Sequence, residues 1–433
     1  MYKEVLKKII LDKQNEIPFN LISREDSLPI NCGSIVTVPG VRRCGKTSKM
    51  KLVINSLVQN GLDKSLILWV GFDDERLFDM QVSDLEEVLD AYRELYPETE
   101  LKNVQMFFDE IQNIKNWELF IIRVFKNYCS HIFISGSNAK LLSSEIATEL
   151  RGWGLEYTTF PLSFKEYCAF NNLDTQCITE SQNAKLKKLW EQYNSDGAFP
   201  EIALTETKEI KEKRLQGYYN AMLLRDLAER HSISNTKALR YFIKRLMNNI
   251  SKPTSINAIY NDMHSLGVKI TKDVLYDWAD YVCECFMFIK VPKYTHSLSE
   301  EQRTLAKYYF IDNGMRQCVL LPQSNDNGKL LENSVLLHLA RKSKTNEKIF
   351  YYQGSKECDF VVQSEDSIKE LIQVCWDISD ADTKKRELDG ILEAAKVTDC
   401  NNLYIITHST EERITINEQT IHIIPAYKWM LGI

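Results

Sequence analysis

Gly40-Val41-Arg42-Arg43-Cys44-Gly45-Lys46-Thr47-Ser48 is the stretch that decides the fold of this 433-residue chain. The β-branched run Ile35-Val36-Thr37-Val38 precedes it, and a segment with apolar residues at helical spacing, Lys49 to Gln59, follows. A strand, a Gly-x-x-x-x-Gly-Lys-Thr loop and a helix, in that order, predict a phosphate cradle. The two glycines let backbone N–H groups turn inward around an anion, and the new helix adds its positive end. Lys46 is expected to reach the β- and γ-phosphates, and the Thr47 hydroxyl to ligate Mg²⁺. Residues 40 to 48 are thus the expected nucleotide-binding set.

A second stretch belongs with the first. Val104-Gln105-Met106-Phe107-Phe108-Asp109-Glu110 is an apolar run ending in two acids, the pattern of a buried parallel strand with carboxylates at its C-terminal edge. Ligands of open α/β sheets sit at that edge. Asp109 is expected to hold Mg²⁺ and Glu110 to polarise a water against the γ-phosphate. The two stretches together predict a site for ATP and Mg²⁺.

Five candidate strands fit a parallel sheet with helices on both faces: Ser34–Val38, Leu66–Phe72, Val104–Phe108, His131–Ser135 and Glu156–Phe160. One of them intervenes between the phosphate loop and the Asp109 strand, the order of the P-loop branch that keeps a catalytic glutamate beside its metal-binding acid. Past the fourth strand, Ser137 and Asn138 are candidates either to sense the γ-phosphate or to cap a helix. Leu150-Arg151-Gly152-Trp153-Gly154 then presents an arginine on a glycine-flanked loop.

Composition excludes several classes. With 44% apolar and 26% charged residues the chain reads as globular, and its length predicts two to four domains. A net charge of −6 argues against binding polyanions by bulk attraction. The first ten residues lack the pattern of a signal peptide, and no apolar run has the length of a membrane helix. Eleven scattered cysteines without a Cys-x-x-Cys predict reduced core thiols, and with them a cytoplasmic protein without membrane partners.

Beyond residue 165 the pattern changes three times. Residues 166–232 are helical and read as a lid on the nucleotide domain (residues 1–165). Their Leu224–His231 stretch reads as a solvated helix face. Residues 233–322 show three helical stretches and then two β-like runs, the layout of a winged helix-turn-helix, and residues 233–316 carry about +4. The third of these helices holds Lys269, Lys272 and Tyr276 but also Asp273, Asp277 and Asp280, which counts against major-groove reading. A polar linker, Gln323 to Gly328, leads into a last α/β unit, residues 323–433.

On these motifs the chain resembles prokaryotic AAA-type ATPases in which a P-loop domain precedes a winged helix and a C-terminal domain of unknown function related to restriction-endonuclease folds. Besides the two stretches above, the resemblance rests on Ser135-Gly136-Ser137-Asn138, Pro161-Leu162-Ser163-Phe164-Lys165-Glu166, Gly197-Ala198-Phe199-Pro200-Glu201, Leu224-Arg225-Asp226-Leu227, Asp312-Asn313-Gly314-Met315-Arg316, Leu331-Glu332-Asn333 and Asp359-Phe360-Val361. It implies an α/β fold of four parts: P-loop NTPase sheet, helical lid, winged helix and a small restriction-endonuclease-like module.

Two departures qualify what the resemblance implies. The family carries Leu-x-Gly-Arg where this chain has Arg151-Gly152-Trp153, which leaves Arg151 to neutralise transition-state charge, with Arg123 as runner-up; an arginine acting in trans would make the protein a homo-oligomer. The nuclease-like fold needs a helix acid, a strand-end Asp and a Glu-x-Lys. Glu332 and Asp359 fill the first two places, but the third reads Gln373-Val374-Cys375, so no cleavage is expected unless a cation such as Lys356 moves in. The expected function is an ATP-hydrolysing switch with a degenerate nuclease-like recognition module. An ATP-controlled DNA-binding regulator or defence-type effector, and an ATP-gated nuclease, stay open beside it, with DNA or a protein as the partner.

Overall fold

In a computed structural model, which describes residues 2–136, 150, 152–175, 179–295, 297, 304–320 and 326–433, all five expected strands form one sheet. They are β1 (Ile35–Pro39), β2 (Ile67–Gly71), β3 (Gln105–Asp109), β4 (Ile132–Gly136) and β5 (Gly154–Glu156). The spatial order is β2-β3-β4-β1-β5, and every pairing is parallel. The chain divides into two compact units, Met1–Phe160 and Pro161–Ile433.

The first unit is built by alternation. Successive strand residues point to opposite faces, so both faces of a fully covered strand must be apolar. Leu68, Val70, Met106, Phe108, Ile132 and Ile134 pack with α1 (Lys3–Asn15), α3 (Glu86–Leu95) and α4 (Trp117–Asn127). Ile67, Trp69, Phe107, Phe133, Val36 and Val38 pack with α2 (Lys46–Gln59). On that second face three rings in register run across the sheet, Trp69 to Phe107 at 5.9 Å and Phe107 to Phe133 at 4.7 Å between centroids. Each such stacked pair adds about 0.5–1.5 kcal/mol beyond its buried area.

The N-terminal helix is part of this unit. Glu87 accepts from the N–H groups of Tyr2 and Lys3, at 2.7 and 2.8 Å, and so caps α1 from another helix. At the other end the Gln14 amide donates to the carbonyl of Ile67 at 2.8 Å, occupying an acceptor on the edge strand β2.

The second unit holds two sheets. β6 (Pro253–Thr254), β7 (Phe288–Val291) and β8 (Ala306–Phe310) pair antiparallel in the order β6-β8-β7, alongside the helices Thr236–Asn248, Ile256–Ser265 and Lys272–Glu284. The larger sheet is mixed, with the order β13-β14-β12-β11-β10-β9. Its strands are β9 (Glu347–Gln353), β10 (Glu357–Ser364), β11 (Ser367–Cys375), β12 (Leu403–Thr407), β13 (Glu412–Ile416) and β14 (Gln419–Pro425). The helix Ala381–Thr398 covers one face. The helices Asn327–Lys342 and Ala426–Leu431 cover the other.

Several expectations for residues 161–433 need correction. The helices Phe164–Phe170 and Glu180–Asp196, expected in a lid, share a core with the larger sheet: Leu162, Phe164, Tyr167 and Trp190 cluster with Leu331, Phe360, Ile372 and Ile406. Asp226 is buried within a π-helical turn, Met222–Glu229, so that stretch is not simply a solvated face. The expected linker ends in structure, since Asp326 is buried against Arg316 at 3.0 Å and Asn327 opens a helix. The hairpin β13–β14 and the terminal helix were not anticipated; short strands of alternating Thr, Glu and Ile give too weak a period to stand out.

Candidate nucleotide site

β1 delivers the chain to Gly40, where the backbone bridges to Thr159. Gly40 has φ 154°, and a Cβ there would lie 2.2 Å from the Thr159 carbonyl oxygen, so this position admits glycine alone. Val41 and Cys44 are buried, and Arg43 takes a left-handed conformation, φ 71°, at the exposed tip of the loop. Gly45, φ 101°, then caps α2, whose first residues are Lys46, Thr47 and Ser48. The loop is tied from outside: Arg24 donates to the carbonyls of Cys44 and Phe160, both at 3.0 Å. No sequence pattern marks Arg24, which lies alone in a connector.

Lys46 is 4% exposed and donates to the Val41 carbonyl at 3.3 Å, within its own loop. Its ammonium lies 3.6 Å from Glu110 Oε1. Glu110 sits in a left-handed turn at the end of β3, φ 51°, and its carboxylate also accepts from Gln112. Burial works against its charge, but Lys46, Gln112 and Arg42 outweigh that and hold the carboxyl below the ordinary glutamate range. Glu110 is therefore ionised at neutral pH, as a group that takes a proton from water must be.

Asp109 is buried, with the hydroxyls of Ser135 and Thr47 bonded to its carboxyl. The structure thus brings together Thr47, in the first turn of α2, and Asp109, at the end of β3, the two expected Mg²⁺ ligands. Burial and the neighbouring Glu110 charge push the Asp109 carboxyl up to about 6, while Ser135, Thr47 and Lys46 pull it back. A proton and a divalent ion compete for this carboxylate. Mg²⁺·ATP affinity should be level above pH about 6 and fall roughly tenfold per unit below it. Titration calorimetry against Asp109→Asn, which cannot titrate, isolates this component; a wild-type profile parallel to that of the variant would exclude it.

The remaining expected residues divide. Asn138, with Ser137, and Arg151 lie outside the described residues. Arg123 is held by Glu86 and lies over the rings of Phe120 and Tyr128, 5.5 and 6.0 Å from their centroids, as a surface arginine fixed in α4. Ser135 and Gln112 belong to the site although no sequence pattern gives either a role. Ser135 stands on β4 beside β3, a neighbourhood visible only once the strand order is known.

The donor set fits a nucleotide and its metal: a glycine cradle no side chain can enter, a buried ammonium, a helix N-terminus and a buried carboxylate–hydroxyl pair.

Comparison with known proteins agrees. Residues 33–168 match a family described as AAA domain, and residues 187–326 a Domain of unknown function (DUF8612). A Haemophilus influenzae protein described as uncharacterized is 29% identical over 400 residues, spanning 92% of this chain and 94% of its own. Among solved structures, the Aeropyrum pernix Orc1 protein in complex with DNA aligns at TM-score 0.30 and 12% identity over 73% of this chain and 90% of its own. That likeness is too low to carry an argument. Uncharacterized protein MJ1544 of Methanocaldococcus jannaschii is 33% identical over 440 residues, covering 99% of this chain and 96% of that protein. The chain therefore belongs to the family of MJ1544, with an AAA-type P-loop domain as its first unit.

Proposed function

We propose that this protein is an ATP-hydrolysing switch. The observation that carries the reading is the convergence of Lys46 and Thr47, which follow β1, with Asp109 and Glu110, which end β3, across the intervening strand β4. Gly40 to Ser48 hold the phosphates, Lys46 reaches the β- and γ-phosphates, and Thr47 with Asp109 holds Mg²⁺, which supplies charge neutralisation when bound. Glu110, ionised, orients and deprotonates the attacking water. Asn138 senses the γ-phosphate, and Arg151 neutralises the transition state, from a neighbouring subunit if the protein is a homo-oligomer.

The second unit reads as the part the switch acts on. The order helix, strand, helix, helix, strand, strand with sheet order β6-β8-β7 supports a winged helix. Its third helix exposes Asp273, Asp277 and Asp280, which supports a structural or protein-contacting role over DNA reading. The helix acid Glu332 and the strand acid Asp359 share one partner, Lys307, and Gln373 bonds the Asp359 N–H, which supports reading this unit as nuclease-like with a neutral amide in place of the third ligand. We read that module as a docking domain without cleavage activity.

Lys46→Ala tests the whole reading. A charge-assisted hydrogen bond contributes about 1.5–3 kcal/mol, so ATP affinity by calorimetry should fall about ten- to a hundredfold. Unchanged affinity would remove the phosphate loop from the account.

A further inference from the structure

The least expected cluster lies in the second unit. Lys307, the second residue of β8, is 0% exposed. Its ammonium lies 2.7 Å from Glu357 Oε1, 3.0 Å from Asp359 Oδ1 and 3.1 Å from Glu332 Oε1. Of its three N–H donors, one is hydrogen-bonded to Glu332 and one to Asp359, and Glu357 joins them as an ion-pair partner. The other contacts are also filled. Tyr309 donates to Glu332 at 2.7 Å, and the Val374 N–H to the second oxygen of Asp359 at 3.0 Å. Gln373 accepts from the Asp359 N–H at 3.1 Å and donates to Glu387 at 2.6 Å.

We propose that Lys307 is a resident cation: its ammonium fills the place that Glu332 and Asp359 would otherwise offer a divalent ion, and fastens β8 to the larger sheet. Three features support this. The carboxylate oxygens stand at ammonium distances, whereas Mg²⁺ draws its ligands to about 2.1 Å and asks for six. Among the described residues no group of three or more His, Cys, Asp or Glu side chains is arranged to hold a metal ion. A buried charge without partners would be untenable, so the lysine and its acids hold one another in place. Two further contacts from the same part of the chain run to the same module: the Phe310 N–H donates to Asn333 and the Asn333 amide donates back to the Phe310 carbonyl, both at 2.8 Å. Lys356, the cation suggested by the sequence, is exposed; the cation paired with these acids is Lys307, and it takes the place of a metal ion instead of standing beside one.

The inference rests on the nuclease-like reading only for what the acids would otherwise hold. Mn²⁺ binding to the full chain, counted by electron paramagnetic resonance without nucleotide, tests it. Wild type and Asp359→Asn should bind Mn²⁺ identically. Lys307→Ala should gain one Mn²⁺ site, at least tenfold weaker when Asp359→Asn is added. Should Lys307→Ala not fold, Lys307→Met keeps the stem packed while removing the charge. Asp359-dependent Mn²⁺ binding by the wild type would overturn the proposal, as would a folded Lys307 variant that gains no site. ATP affinity measured on the same proteins keeps this failure distinct from failure of the switch reading.

Discussion

Glu110→Gln should leave ATP affinity within about twofold of wild type and slow hydrolysis by about 10²- to 10⁴-fold, the usual range for losing a general base. The side chain keeps its shape, and the Gln112 contact and the left-handed turn survive the change. What disappears is the ionised carboxylate that Lys46, Gln112 and Arg42 stabilise. Binding is expected to hold because the phosphate contacts belong to the loop and to Lys46. Equal losses of binding and turnover, measured by calorimetry and phosphate release, would make Glu110 a structural residue.

Asp312→Ala should lower the melting transition of the second unit by about 3–10 °C. Asp312 is 1% exposed and accepts from the N–H of Ala198 at 2.6 Å and of Met315 at 2.7 Å. The second of these caps the helix Asn313–Val319. Burial pushes its carboxyl up to about 6, so it is ionised at neutral pH while it makes those bonds. Loss of the cap costs about 0.5–2 kcal/mol, and the buried N–H of Ala198 left without an acceptor about 1–3 more. Relaxation is blocked, because a Cβ on Gly314 would already lie 2.1 Å from the Asp196 carbonyl oxygen, the two segments being in backbone contact. Asp312→Asn keeps an acceptor and should recover part of the loss. An unchanged melting curve for the alanine variant would show that these bonds are replaceable.

The first unit was legible because its signals are local. A strand and its following helix are neighbours in sequence, and the Gly40–Thr47 pattern states its own geometry; all five strands fall within two residues of expectation at most of their ends. β5 is the exception, ending at Glu156 rather than Phe160, since its ladder with β1 runs from Ile35 to Thr37. The second unit hides its logic in separations no window spans. Lys307 meets Glu332 across 25 residues and Asp359 across 52. Nothing in Ala306–Phe310 distinguishes a lysine aimed at acids from one aimed at water, so an exposed lysine adjacent in sequence was the natural nominee. The cysteines illustrate a milder case: among the described residues all are free thiols, as scattered spacing implies.

The strand order has a consequence for how the chain is made. β1 pairs only with β4 and β5, and Val36 waits for Phe133, about a hundred residues further along. At about 5–20 residues per second, a ribosome would expose β1 for roughly 5–20 seconds before its partner exists. β2 and β3 can join each other sooner, but only β4 touches both β3 and β1. Its five residues are the keystone of assembly. Until they emerge, the nascent chain carries an unpaired apolar strand and a phosphate loop with no sheet behind it, and ATP cannot be captured early to assist the folding of its own site.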